Sequence, residues 1–308
     1  MTTYLINKKT VFFNISSYLK SLVSLMKPRV MSLVIFTCAV GLLTAPNSIP
    51  LNNSLISIFF VTMGAGAAGA LNMWYEADLD KLMTRTCLRP IPTGKINKKH
   101  ALIFGVVLSV VSIYGLYYFS NLLSAFLLFV TIAFYLFVYT IWLKRKTPQN
   151  IVIGGASGAL PPVIGWTIAT GSLTVEPLIL FLIIFLWTPS HFWALSIYKS
   201  DDYKKAKIPM FPLIYGIQKT KKNIFIYSLL MLPTISVPYY INFLSGFYFY
   251  PTLGLTLYYI YLCGVLLNLK KNKEINSIAR KIFLYSIFYL FSVFLLILID
   301  NILMRFYG

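Results

Sequence analysis

The sequence predicts an all-α polytopic membrane protein with nine transmembrane helices, and three observations carry that reading. Of 308 residues, 58% are hydrophobic and only 11% charged, whereas soluble domains carry about a quarter charged residues. The apolar residues gather into runs close to the ~20 residues that a helix needs to cross a hydrocarbon core. Between those runs the basic residues alternate: 26 of the 27 lysines and arginines fall on loops that share one side of the membrane.

Taken in order, the spans are expected at 29–46, 53–75, 101–119, 122–143, 150–170, 177–198, 223–243, 250–269 and 282–304. Lys27-Pro28-Arg29 opens the first, and the second runs out into Asn72, Glu76 and Asp80. Little more than Ser120 and Asn121 separates the third from the fourth, which ends at Lys144-Arg145-Lys146. The sixth leads into Tyr198, Asp201 and Asp202. Lys and Arg concentrate on the cytoplasmic side of short loops. With the N-terminus inside, five basic residues precede the first span, including Lys8, Lys9 and Lys20, and six occupy the second-to-third loop. Three, seven and five follow on the later inside loops, leaving Arg305 alone outside. Two inside loops, 76–100 and 199–222, are long and polar, so chemistry is expected at the cytoplasmic face. The domain reading is a lead-in over 1–26 and one transmembrane domain over 27–308.

The net charge of +19 admits nucleic acid or an anionic membrane as partner. The cations sit between membrane-length apolar runs, which selects the lipid bilayer and excludes nucleic acid. No small-residue cleavage site follows a short apolar core near the start, so no signal peptide is expected. Cys38, Cys87 and Cys263 have no metal-ligand spacing and read as small apolar residues. The small-residue runs 64–70 and 154–159 read as close-packing helix faces, because neither precedes the Lys-Ser/Thr of a nucleotide loop.

The chain has eight acidic residues, and five of them form two clusters. Asn72, Glu76 and Asp80 stand at i, i+4 and i+8, on one stripe of a helix, with Asp78 pointing elsewhere. Tyr198 and Asp202 are again i, i+4, beside Asp201, and His191 shares their face. Carboxylates in or near a bilayer are expensive and mark function. An oxygen-rich set of this type suits Mg²⁺, which binds through one or two carboxylates plus substrate phosphates. The alternative is a set of helix-end acids paired with loop cations. Arg85 and Arg89 follow the first cluster, and a guanidinium fork suits phosphate oxygens. His191 lies inside an apolar span, where an ionisable group is a functional candidate, as iron ligand or proton carrier. His100 sits in a basic loop and receives no role.

These motifs resemble the UbiA superfamily of intramembrane prenyltransferases. Asn72-xxx-Glu76-xxx-Asp80 with Arg85-Thr86-xx-Arg89-Pro90 is similar to its first signature. The segment from Lys144 to Asn150 into Gly154-Gly155 resembles the haem-modifying branch. So do Pro161 to Trp166, His191 to Leu195, and Asp201-Asp202-Tyr203 through Met210. Two departures stand out: Glu76 where most members have Asp, and Tyr198 where members acting on aromatic substrates have an acid. The resemblance implies a UbiA-like bundle whose central cavity opens to the cytoplasmic face. It implies Mg²⁺ at Asn72, Glu76, Asp80, Asp201 and Asp202, and a diphosphate held by Lys27, Arg29, Arg85, Arg89, Tyr139 and Lys144. Asn72, Glu76, Asp80, Asp202 and His191 are the expected catalytic residues. The implied reaction carries the farnesyl group of farnesyl diphosphate to a vinyl group of haem B, with addition of water, ahead of a haem A synthase. Haem B is then a substrate, and the setting is a bacterial inner membrane rather than a mitochondrial one. Two other readings remain: an aromatic prenyltransferase of quinone synthesis, and a transporter or haem-delivery protein without chemistry.

Overall fold

The computed structural model describes residues 15–47 and 49–307, and among them there is no strand. Residues 1–14 of the expected lead-in, with Lys8 and Lys9, lie outside the described residues, as do positions 48 and 308. The chain begins with α1 (Ile15–Leu25) and α2 (Pro28–Thr44), followed by α3 (Leu51–Tyr75), the short α4 (Ala77–Asp80) and α5 (Lys98–Phe119). Then come α6 (Leu122–Ala133), which runs on as a π-helical segment (Phe134–Leu143), α7 (Asn150–Ala159) and α8 (Pro161–Thr170). The last five are α9 (Val175–Tyr198), α10 (Ser200–Lys205), α11 (Phe211–Tyr240), α12 (Gly246–Asn268) and α13 (Asn272–Tyr307).

Seven of these helical stretches are long and apolar enough to cross a membrane, or eight if the bent pair α1–α2 is one span. The expected first span differs from a simple crossing because α2 has only 17 residues and meets α1 at 53°. The expected seventh span falls in α11, whose 30 residues include Lys219, Lys221 and Lys222 and a Gly216 at φ 82. α11 is not among the seven, because the stretch left after Lys222 carries Asn223, Pro233, Pro238, Tyr227, Tyr239 and Tyr240 and is too weakly apolar. The lead-in also gains structure: α1 packs its Leu25 and Tyr18 against Ala70, Met73 and Ala101 of α3 and α5.

Local chemistry explains the breaks. Asn121 ends the tight α5–α6 hairpin by accepting the Ser124 N–H at 2.9 Å and donating to the Thr167 carbonyl at 2.7 Å. Pro161 and Pro162 open α8 at its first turn and so divide the fifth span at Leu160. Two large apolar cores hold most of the bundle. One joins α9, α11, α12 and α13 through Trp193, Tyr248, Tyr259, Tyr289 and Phe294. The other joins α2, α3, α5, α6 and α8 through Cys38, Leu71, Leu128 and Ile164. Between α2 and α8 the backbones touch: a Cβ on Gly41 would lie 2.0 Å from the Pro162 carbonyl oxygen, and one on Gly165 would lie 1.9 Å from that of Cys38. Small residues are what permits such an approach in a membrane. The outer face of α5 presents Ile103, Val106, Val110, Tyr114 and Tyr118, a surface suited to hydrocarbon.

The end of the bundle away from the long loops is pinned by one acid. Asp300 of α13, fully buried, accepts from the backbone N–H of Ser245 at 2.7 Å and of Tyr248 at 3.2 Å, and from the Ser245 hydroxyl. It thereby caps the N-terminus of α12, where a negative charge is favoured. Arg305 donates to the Ala45 carbonyl after α2 and ties the last helix to the first span.

Candidate functional site

The stripe expected from the sequence forms, although its helix does not run straight through. α3 ends at Tyr75, Glu76 takes φ −89° and ψ 11°, and α4 resumes at Ala77. Across the break the Glu76 N–H still donates to the Asn72 carbonyl at 2.9 Å, and the Asp80 N–H to that of Glu76 at 2.8 Å. That register keeps Asn72, Glu76 and Asp80 together, and all three are buried, at 2%, 2% and 0% exposure.

Each member of the stripe meets a cation from a different part of the chain. Lys27 Nζ donates to Asn72 Oδ1 at 2.6 Å. Lys144 Nζ donates to Glu76 Oε2 at 2.6 Å and lies 2.5 Å from Oε1. Arg89 Nη1 donates to both Asp80 oxygens, at 2.8 and 2.9 Å. Lys27 reaches the site from the α1–α2 bend, in a left-handed conformation (φ 55). The small-residue run of α3 makes room for that bend: a Cβ on Gly66 would lie 2.5 Å from the Met26 side chain.

The π-helical segment sets the opposite wall. Its wider turn closes with the Lys144 N–H on the Tyr139 carbonyl at 2.9 Å, and π-turns occur frequently at functional sites. Thr140 in that segment accepts from Asn72 Nδ2 at 3.0 Å and donates to the Tyr135 carbonyl at 2.8 Å. The Lys144 ammonium stands 5.6 Å from the Tyr139 ring centroid. The ring itself packs so tightly on α7 that a Cβ on Gly154 would lie 2.2 Å from Tyr139 Cδ2.

The second cluster divides. Asp201 is exposed, whereas Asp202 is buried and receives the Thr84 hydroxyl at 2.7 and 2.9 Å and the Thr84 N–H at 3.3 Å. The helix breaks at Lys199 rather than continuing to Asp202. Lys199 and Arg280 flank the ring of Tyr198, with the ammonium 4.6 Å and the guanidinium 5.8 Å from its centroid. Thr84 thus joins the first polar loop to the second. Beneath that joint lies an apolar floor of Leu79, Met83, Ile151, Tyr203, Ile208 and Met210, against which Tyr139 and Phe192 pack.

The electrostatics of the two outlying acids follow from their partners. Burial alone would raise the Asp202 carboxyl. The Thr84 hydroxyl and N–H bonds, with Lys199 and Lys205, outweigh it and hold the group below the ordinary carboxylate range. Burial would also raise Asp78, but the Arg145 hydrogen bonds and charge hold it low. Asp78 and Arg145 meet through two bonds, at 2.8 and 2.9 Å, near the surface. This agrees with the expectation that Asp78 leaves the stripe. Arg29 and Arg85 are exposed, and neither side chain has a hydrogen bond or ion pair among the described residues. They are cations without a committed partner.

His191 pairs with a hydroxyl and three aromatic rings, not with an acid, among the described residues. Its Nδ1 lies 2.6 Å from Ser286 Oγ of α13, and its ring stacks on Trp187 at 4.2 Å, with Phe283 at 4.8 Å and Phe192 edge-on at 4.9 Å.

The donors fit a hard divalent cation. All are oxygens, and Glu76 Oε1 is buried, with the Lys144 ammonium 2.5 Å away as its ion-pair partner. No group of three His, Cys, Asp or Glu among the described residues could enclose a metal. An ion here would therefore rely on one or two carboxylates and on substrate oxygens, the usual habit of Mg²⁺. Sequence reasoning missed Thr84, Thr140 and Ser286. A hydroxyl in an apolar helix has no spacing signature, and the π-turn that aims Thr140 leaves none either.

The UbiA prenyltransferase family model matches residues 33–287. The chain is 66% identical over 291 residues to "Protoheme IX farnesyltransferase" of Pelagibacter ubique, covering 94% of this chain and 95% of that one. It is 49% identical to "Protoheme IX farnesyltransferase 2" of Mesorhizobium japonicum, covering 92% and 90%. In fold it is similar to a digeranylgeranylglyceryl phosphate synthase, with a TM-score of 0.76 at 19% identity over 92% of this chain and 99% of that chain. It is similar too to a UbiA homologue from Archaeoglobus fulgidus solved with DMAPP and Mg²⁺, with a TM-score of 0.68 at 17% identity over 89% and 99%.

Proposed function

The chain belongs to the UbiA prenyltransferase family, and on that premise we propose that it transfers the farnesyl group of farnesyl diphosphate to a vinyl group of haem B. Water adds to the adjacent carbon, and the products are haem O and diphosphate. The observation that carries this reading is the 66% identity to a "Protoheme IX farnesyltransferase" across nearly the full length of both chains. The enzyme class is that of a prenyltransferase embedded in a membrane.

The diphosphate lies at the loop-rich end, where Arg89 and Lys144 now neutralise the two carboxylates of the stripe, Lys27 donates to its amide, and Arg29 and Arg85 carry uncommitted charge. Mg²⁺, held by Asn72, Glu76 and Asp80 with substrate oxygens, supplies Lewis-acid stabilisation of the leaving diphosphate. Lys144 and Arg89 then exchange a carboxylate partner for phosphate oxygens, so each cation is already in place when charge develops. Tyr139 bounds the pocket beside Lys144. Asp202, anchored on Thr84, closes the site from the second loop, and Asp201 beside it is the more distant oxygen donor. The farnesyl chain lies along the apolar interior, where bulk water cannot intercept the allylic cation. His191 positions the haem.

The bundle crosses nine times, the α1–α2 pair and α11 included, with its N-terminus and central cavity on the cytoplasmic side of a bacterial inner membrane. Residues 27–308 act as one domain, and a haem A synthase consumes the product. The 26-to-1 division of basic residues supports this orientation. Reporters fused after Lys99, Lys146 or Lys222 should read cytoplasm, and one after Ser172 should read the other side. A cytoplasmic Ser172 fusion would overturn it.

The decisive experiment is mass spectrometry of haem from membranes supplied with haem B and farnesyl diphosphate. Haem O and stoichiometric pyrophosphate are expected only when the protein is present. Prenylated 4-hydroxybenzoate in a parallel assay, with unmodified haem B, would replace this reading by the quinone one.

A further inference from the structure

The least expected contact of the molecule is the pairing of His191 with Ser286, because the second residue lies in a helix that no motif distinguishes. Ser286 Oγ lies 2.6 Å from His191 Nδ1 and 2.7 Å from the carbonyl of Phe283, to which it donates. A serine hydroxyl has one hydrogen. If that hydrogen pointed at His191, two oxygens with facing lone pairs would stand 2.7 Å apart with no proton between them. Directing it at Phe283 makes both contacts favourable, provided that Nδ1 carries a hydrogen and donates to Ser286. No carboxylate touches the ring among the described residues, and an unpaired imidazolium would be left unsolvated there. The ring is therefore neutral, with its one proton on Nδ1 and the lone pair on Nε2.

The setting fixes orientation as well as tautomer. Trp187 stacks on the imidazole at 4.2 Å, and its own Nε1–H donates to the Ser286 carbonyl at 2.9 Å. Phe283, one turn before Ser286, closes the ring's environment at 4.8 Å. One tryptophan thus holds both partners of the His191–Ser286 bond. Phe192, the next residue, packs on the floor shared with Met83 and Tyr139, which links this aromatic pocket to the diphosphate end.

We propose that Ser286 and Trp187 are positioning residues that lock His191 as the Nδ1-protonated tautomer, presenting the Nε2 lone pair as a ligand for the iron of the porphyrin substrate. The iron part rests on the haem reading above; the tautomer part does not. A hydrogen bond on one ring nitrogen sets which nitrogen takes the metal, and loss of such a partner typically weakens metal affinity by about 10- to 100-fold.

The full-length protein in lipid nanodiscs, labelled with ¹⁵N-histidine, tests the first part without substrate. It has two histidines, and a His100→Gln sample assigns them. The expected spectrum shows His191 protonated at Nδ1 alone. A proton on Nε2, or a mixture of tautomers, overturns the proposal. The second part is read by titrating haem B into wild type, Ser286→Ala and Ser286→Thr while following the Soret band. Ser286→Ala should lose about tenfold or more in haem affinity and the ligand-bound Soret position, with farnesyl diphosphate affinity unchanged. Ser286→Thr, which retains an accepting hydroxyl, should recover both. Equal weakening of both substrates, or wild-type haem spectra in Ser286→Ala, overturns the positioning role. A locked tautomer in a protein that makes no haem O would sink the farnesyl-transfer reading while leaving the His191–Ser286 assignment intact.

Discussion

Three carboxylates of this protein are almost equally hidden, and they are held in two opposite ways. Asp300 accepts from two backbone N–H groups and a neighbouring hydroxyl at the start of α12. Asp80 accepts from the tip of Arg89, and Glu76 from the tip of Lys144. The first set of donors is part of a helix terminus and cannot move without unwinding it. The second is carried on long, rotatable side chains whose positive charge suits phosphate as well as carboxylate. Burial alone does not separate a structural acid from a functional one, but the mobility and charge of its partners do.

That contrast is broken most directly by removing each acid in turn. Asp80→Ala should reduce haem O formation by at least about 100-fold, roughly 2.7 kcal/mol, at near-normal membrane abundance. Asp300→Ala strands three donors, the Tyr248 N–H among them fully buried, and should cost about 3 kcal/mol of stability, while specific activity per folded molecule stays at wild type. Activity above a tenth in the first variant, or a selective catalytic loss in the second, would erase the distinction.

A smaller effect sharpens it. If Lys144 serves diphosphate as well as Glu76, Lys144→Gln should raise the KM for farnesyl diphosphate by about tenfold, ~1.4 kcal/mol, and leave the KM for haem B alone. Steady-state kinetics with each substrate varied separately will tell, and a shared shift in both would point to a collapsed site.

Acid stability offers a third probe. Asp202 has a folded-state pKa below the ordinary ~3.9 of aspartate. Its contribution is fully present above that ordinary value and disappears as pH falls through the lower, folded value. Thermal midpoints of wild type should therefore drop as pH is lowered from about 4, and those of Asp202→Asn should drop less steeply. Parallel curves would mean that the Thr84 bonds do not favour the charged form.

The smallest expected change is at Asp78. Its pair with Arg145 is about half exposed, and such pairs contribute about 0.2–1 kcal/mol. Asp78→Asn should shift the midpoint slightly and leave turnover unchanged. A large loss of activity would put Asp78 inside the site, contrary to its position off the stripe.

The sequence by itself determined the solvent of this protein, its helical class and the polar end of its bundle. Apolar run length and the distribution of basic residues reflect the local cost of placing charge in hydrocarbon, which is paid residue by residue. The Asn72-Glu76-Asp80 stripe was legible for a similar reason, since helical period survives the break at Glu76. Only the tertiary structure decided the partners. The bend that brings Lys27 to Asn72, the π-turn that aims Thr140 and the anchoring of Asp202 rather than Asp201 on Thr84 are products of packing between distant segments. Ser286 is the clearest case: 95 residues separate it from His191, and nothing in its own helix marks it. A hydroxyl acquires a role only when the fold places one particular ring nitrogen within its reach.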